Sequence, residues 1–96
     1  MPPTNYTVSQ PGAVNEEFRR LAALAAEQGR RPLVFRAAGY MLDELAYDPL
    51  RFGESREFLP HFELHMRIAF PRPLGVIFAV HEKSKQVFIQ RVVLLG

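Results

Sequence analysis

The feature that most constrains the fold is a change in hydrophobic period partway along the chain. From Ala13 to Leu45 the apolar residues recur every three or four positions, whereas from Leu64 to Leu95 they alternate or form short β-branched runs. The first period places apolar side chains along one stripe of a helix, and a period of two places them on one face of a strand. The sequence therefore predicts helices followed by a sheet, which is an α+β domain.

Two amphipathic helices are predicted in the N-terminal half. The first follows Ala13 and stops at Gly29, a residue suited to a helix end. The second begins near Pro32, which suits a first turn, and stops at Asp48-Pro49, because the residue before a proline avoids helical geometry. The two apolar stripes are, in chain order, Val14, Phe18, Leu21 and Ala25, and then Val34, Ala38, Met41 and Leu45.

Four strands are predicted, at residues 5–10, 64–70, 75–81 and 86–95, with Glu82 to Lys85 as a hairpin connection. Residues 49–62 lack a clean period and are predicted as a loop with room for an irregular extended piece. The expected order is β-α-α-β-β-β, a two-helix hairpin packed on one face of a small, mainly antiparallel four-stranded sheet. Two helices cover only one face of such a sheet, so the other face should meet water or a partner.

Composition narrows the class further. The chain has 96 residues, which suits one domain over 1–96, and it has no cysteine, which excludes disulfides, thiolate metal sites and cysteine nucleophiles. The start of the chain has no secretory signal pattern and no apolar run is long enough for a bilayer, so a cytoplasmic protein without membrane contact is expected. Residues 49–96 carry a charge of +3 and residues 1–48 carry −1, so the sheet half suits nucleic acid or an acidic protein.

Five segments, taken in order, resemble the RelE/ParE superfamily of type II toxin-antitoxin toxins over nearly the whole chain. They are residues 5–8 (NYTV), 42–49 (LDELAYDP), 50–57 (LRFGESRE), 67–70 (RIAF) and 73–80 (PLGVIFAV). The resemblance implies the same α+β fold and a toxin-like protein that needs no cofactor. It also implies an acidic, partly disordered antitoxin as partner on the open sheet face, with the ribosome and its mRNA, or gyrase, as a target.

The resemblance favours a non-enzymatic mode, because groups that ribonuclease members use are missing. The usual arginine at the start of the third strand aligns with Gly75, and the usual C-terminal basic residue falls near Leu94 and Leu95. Two alternatives stay open. One is a ribosome-dependent mRNA endonuclease that uses Arg67 and Arg91 with His65 as the proton-handling group. The other is a degenerate, non-toxic interaction module that forms a homodimer through its exposed sheet.

Arg67, His65 and Arg91 are the candidate catalytic residues. Arg67 and His65 alternate with Leu64, Met66 and Ile68, so both are predicted to point to the open side of the sheet, as a phosphate or partner contact or as solvated residues. Arg91 interrupts an apolar run on the last strand. It should either pair with an acid such as Glu63 or Glu82 or bracket a groove with Arg67.

Further basic residues are candidates for phosphate or partner binding: Arg56, Arg72, Lys83 and Lys85. Arg56 could instead form a salt-bridge cluster with Glu54 or Glu57, and the two lysines could be ordinary hairpin charges. His61, His65 and His81 lie on separate segments with no carboxylate at ligand spacing, so no metal site is predicted.

Overall fold

The computed structural model describes residues 5–96 and contains two helices and five strands. The elements are β1 (Thr7–Ser9), α1 (Gly12–Glu27), α2 (Arg31–Tyr47), β2 (Glu54–Leu59), β3 (Leu64–Ala69), β4 (Leu74–His81) and β5 (Gln86–Leu94). The strands form one sheet in the order β1-β5-β4-β3-β2, in which β1 is parallel to β5 and the other neighbours are antiparallel. The predicted α+β class and both predicted helices are confirmed, and the sheet is mixed.

The helix ends follow from backbone chemistry. The turn after α1 contains Gly29 with a φ of 69°, a left-handed conformation that glycine adopts without strain. Pro32 lies in the first turn of α2, where its missing N–H is not needed, and α2 ends at Tyr47, one residue before Asp48-Pro49. Neither helix is long and apolar enough to cross a bilayer, within residues 5–96.

The prediction of four strands is wrong, because residues 54–59 of the expected loop form β2 at the sheet edge. This strand pairs antiparallel with β3 and contains a bulge between Ser55 and Glu57. Its sequence, ESREFL, begins with four polar residues, three of them charged, and so lacks the alternation of apolar and polar residues that indicates a strand. Charges and a bulge are also what keeps an exposed edge strand from pairing with another chain.

The core lies between the two helices and one face of β4 and β5. From the strands it contains Val76, Phe78, Val80, Val87, Ile89 and Val92, and from the helices Val14, Leu21, Ala25, Val34, Met41 and Leu45. Phe78 is fully buried, whereas Ile77, the next residue along β4, is 36% exposed. Successive residues of a strand face opposite ways, so the helices cover one face of the sheet and leave the other uncovered, as predicted.

Candidate functional site

Strand register decides which face each candidate residue occupies. In β3 and β4, His65 pairs with Val80, Arg67 with Phe78 and Ala69 with Val76. Directly paired residues share a face, so His65 and Arg67 lie on the helix side, and the prediction that they point to the uncovered side is wrong. Each face of β3 carries at least one apolar residue. The alternation therefore shows that residues 64–69 form a strand, but it does not show which of the two faces lies toward the helices.

Arg67 holds the connection between α2 and β2 against the sheet. Its Nε donates to the Phe52 carbonyl oxygen at 3.1 Å, and its Nη2 donates to the Gly53 carbonyl oxygen at 2.9 Å. The Phe52 ring stacks on Phe78 with a centroid separation of 5.9 Å. The donors of Arg67 are therefore directed at the chain's own backbone, and the side chain is half-buried beneath that connection.

His65 is half-buried beside an aromatic ring. Its ring centroid lies 4.6 Å from that of Phe58 on β2, and its Nε2 lies 3.9 Å from a Glu82 carboxylate oxygen. Within residues 5–96, the one carboxylate within 4.0 Å of the His65 ring nitrogens is that of Glu82. These contacts provide packing for the β2–β3 pair.

Arg91 belongs to a contact between β5 and α1. Its Nε lies 3.3 Å from Glu17 Oε2, and the other oxygen of Glu17 accepts the backbone N–H of Val92 at 2.8 Å. The prediction that Arg91 pairs with Glu63 or Glu82 is therefore wrong. Strand β1 pairs with β5 only as far as Phe88, so beyond Phe88 this edge of β5 has no strand beside it, and Glu17 accepts the next backbone N–H there.

Arg91 and Arg67 do not bracket a groove. Arg91 pairs in register with Ile77, and Ile77 faces the side opposite to Phe78, the partner of Arg67. Glu17 of α1 holds the Arg91 guanidinium at the β5 edge, whereas the Phe52 and Gly53 carbonyls hold that of Arg67 beneath the connection before β2, so the two groups are not directed at a common phosphate.

The uncovered face is an apolar surface built from three adjacent strands, which we call the open face. The apolar residues assigned to it by register are Leu64, Met66, Ile68, Ile77, Ala79, Phe88 and Val93, and His81, Gln86 and the backbone position of Arg91 lie on the same side. Ile77 and Val93 are 36% and 39% exposed. A depression of about 240 Å³ lies towards the β2 edge and is lined by Arg56, Glu57, Met66, Ile68 and Ile77. The open face thus offers apolar area with both charge signs at one rim.

Gly75 shows how apolar this face is at a position where the resemblance implied an arginine. A Cβ placed on Gly75 would lie 3.1 Å from Val93 Cγ2, and within 3.6 Å of side-chain atoms of Phe70 and Leu95. Apolar side chains surround the position, and a longer residue would have to displace Val93. The open face has no basic group at that point.

The other basic candidates are spread around the molecule. Lys83 Nζ bonds to Glu63 at 2.6 Å, and Lys85 Nζ lies 4.9 Å from the centre of the Tyr6 ring. Arg56 is on the bulge of β2, while Arg72 lies in the turn between β3 and β4, on the helix side near α2. Within residues 5–96 no group of three His, Asp or Glu side chains is arranged to hold a metal ion.

The ion pair between Glu63, in the β2–β3 turn, and Lys83, in the β4–β5 turn, gives a pH-dependent prediction. The hydrogen bond from Lys83, and then its charge, hold the pKa of Glu63 below its ordinary value. The stabilisation is therefore present above the ordinary carboxyl pKa and is lost as the pH falls through the lowered one. We expect the small stability advantage of wild type over Glu63→Gln to be fully present at neutral pH and to decline as the pH falls below about 4.3, the ordinary pKa of a glutamate. Thermal unfolding at several pH values checks this, and a pH-independent difference would contradict it.

Sequence reasoning missed two groups of residues. The alternation in β3 predicts Leu64, Met66 and Ile68 in the core, whereas they lie on the open face. The run GVIFAV in β4 has apolar residues at both odd and even positions, which indicates a strand with two apolar faces and could have shown that the open face is apolar. Arg36 and Tyr40 on α2 were not singled out, although both fall outside the apolar stripe of that helix. Comparison with models of known protein families and with curated proteins finds no match to this chain.

Proposed function

We propose that this chain is the toxin-like component of a type II toxin-antitoxin pair, and that it acts by binding its target instead of by cutting RNA. The observation that carries the proposal is the open face, which is apolar and uncovered by either helix. An exposed apolar patch with a polar rim is typical of a protein-protein contact. The resemblance to RelE/ParE toxins supplies the kind of partner.

The partner is an acidic antitoxin segment that folds onto the open face. Its apolar side chains pack on Met66, Ile68 and Ile77, and its carboxylates reach Arg56 at the β2 rim. A segment of this kind loses conformational freedom on binding, so its affinity comes mainly from apolar contact. Gyrase or the ribosome is the proposed target of the free protein.

Binding is favoured over endonuclease activity by the state of the three candidate catalytic residues. Arg67 bonds to two backbone carbonyls, Arg91 pairs with Glu17 and His65 packs on Phe58. RNA cleavage requires a proton acceptor and a charge directed at the reacting phosphate, whereas each of these three side chains is engaged in a contact within the protein.

Expression in a bacterium tests the proposed function. We expect induction of this protein alone to arrest growth, and co-expression with the product of the neighbouring reading frame to relieve the arrest and yield a purified complex. Normal growth with abundant folded protein, together with no complex, would overturn the proposal. Site-specific mRNA cleavage by the purified protein in a translating extract would instead support the endonuclease.

A charge placed in the middle of the open face tests the location of the contact. Ile77→Lys should weaken complex formation at least about tenfold, because a docked apolar segment would have to desolvate the ammonium. Leu24→Lys is the matched control, since Leu24 is 46% exposed on α1, away from the open face. Titration calorimetry on both variants, with folding checked by circular dichroism, measures the difference. Equal affinities would place the contact elsewhere.

A further inference from the structure

A second surface feature lies on the helix side of the sheet, away from the open face. It is a cleft of about 360 Å³ between α2 and the turn that joins β3 to β4. Its walls are formed by Leu33, Arg36, Ala37, Tyr40, Pro71 and Arg72. The cleft has no part in the function proposed above.

The charge at the cleft is positive and unbalanced. Arg36 and Arg72 are both exposed, and neither has a carboxylate within 4.0 Å in the part of the chain that the structure describes. No acidic side chain lines the cleft. By contrast, Arg19, Arg51 and Arg91 each have an acidic partner. The cleft is therefore a place where two guanidinium groups can receive carboxylates from another molecule.

The remainder of the lining is apolar, and part of it is fixed in place by the core. Ala37 and Pro71 are buried, while Leu33 and Tyr40 are 50% and 54% exposed. The Tyr40 ring lies edge-on to Phe52 at a centroid separation of 5.9 Å, and Phe52 in turn stacks on the fully buried Phe78. A wall held in this way needs little ordering when a ligand binds.

We propose that this cleft binds an acidic peptide segment through one apolar anchor residue flanked by carboxylates. The anchor packs against Leu33, Tyr40 and Pro71, and the flanking carboxylates pair with Arg36 and Arg72. The complementarity of charge selects the peptide. A nucleic acid is less suited, because its backbone requires a continuous basic track, whereas the cleft offers two arginines around a small apolar wall.

Fluorescence anisotropy with defined peptides tests the cleft. The probes are four labelled seven-residue peptides, each with a central Leu, Ile, Phe or Trp between three acidic residues on either side, and one with a central Ser. We expect at least one apolar-centred peptide to bind, and the Ser-centred peptide to bind at least tenfold more weakly. Arg36→Gln/Arg72→Gln should weaken binding at least tenfold, and raised salt should weaken it as well.

Two matched variants keep the test specific. Arg20→Gln/Arg51→Gln removes the same two charges from exposed arginines outside both the cleft and the open face and should leave peptide binding unchanged. Ile77→Lys, which blocks the open face, should also leave it unchanged, and a loss of binding in that variant would place the peptide on the open face. The inference is overturned if no peptide binds at millimolar concentration, if the cleft variant binds as well as wild type, or if both double variants lose binding equally. Tighter binding of an oligouridylate that the cleft variant loses would assign the cleft to nucleic acid and also overturn the inference.

Discussion

Replacing Gly53 with alanine is expected to lower the free energy of unfolding by about 3 kcal/mol, a fall in melting temperature of roughly 15 °C. Gly53 has a φ of 73°, in the left-handed region that favours glycine. A Cβ there would overlap the Ile68 carbonyl oxygen and lie 2.7 Å from the Ala69 Cβ, so the connection could not stay where it is. Moving it would also separate the Gly53 carbonyl from Arg67 and the Phe52 ring from Phe78.

Two other glycines separate the causes of this loss. Gly29 has a φ of 69° but nothing within 4 Å of its added Cβ, so Gly29→Ala isolates the conformational cost, about 1 kcal/mol. Gly39 is inside α2 with ordinary φ and equal space, so Gly39→Ala should stabilise by roughly 0.5–1 kcal/mol. Urea unfolding of the three variants measures the series. If Gly53→Ala costs no more than Gly29→Ala, the close contact with β3 is absent.

The helices could be predicted because their signals are local. A period of three to four, Gly29 after α1, and Pro32 and Pro49 around α2 act within a few residues, and the observed bounds agree with them. The strand positions in the C-terminal half also follow from local alternation and turn residues. These features do not depend on which segment packs against which.

The direction of β3 could not be predicted, because it depends on its neighbour. Leu64, Met66 and Ile68 are the more apolar set, and burial of apolar area alone would turn them towards the helices. The helices pack mainly on β1, β4 and β5. At β3, Phe52 covers the sheet instead, and Arg67 can lie beneath the connection because two carbonyl oxygens satisfy it.

The fifth strand and the Glu17 contact were missed for a related reason. The extended conformation of β2 is stabilised by pairing with β3, since its own sequence lacks the alternation of apolar and polar residues that indicates a strand. Glu17 is separated from Val92 by 75 positions, and its role arises only because β1 is too short to pair with all of β5. Contacts of this kind are set by the assembled fold and leave no local pattern.

Replacing Arg67 with alanine is expected to cost about 2 kcal/mol of stability, from the loss of two charge-assisted hydrogen bonds. The Phe52 and Gly53 carbonyls would lose the donors that hold the connection over β3. Arg67→Lys should recover part of the loss, because an ammonium can reach one carbonyl but cannot present the planar fork that reaches both. Denaturant unfolding with a constant m-value measures these differences.

Arg56→Ala is the control for Arg67→Ala, since Arg56 is an exposed arginine on the neighbouring strand without an acidic partner among residues 5–96. Its stability should stay within about 0.5 kcal/mol of wild type. The same variants decide between a structural and a functional arginine. If Arg67→Ala unfolds at the same denaturant concentration as Arg56→Ala but abolishes growth arrest, Arg67 contacts the target. If it unfolds earlier and any loss of growth arrest follows the fraction of unfolded protein, then Arg67 acts by holding Phe52 and Gly53 against the sheet.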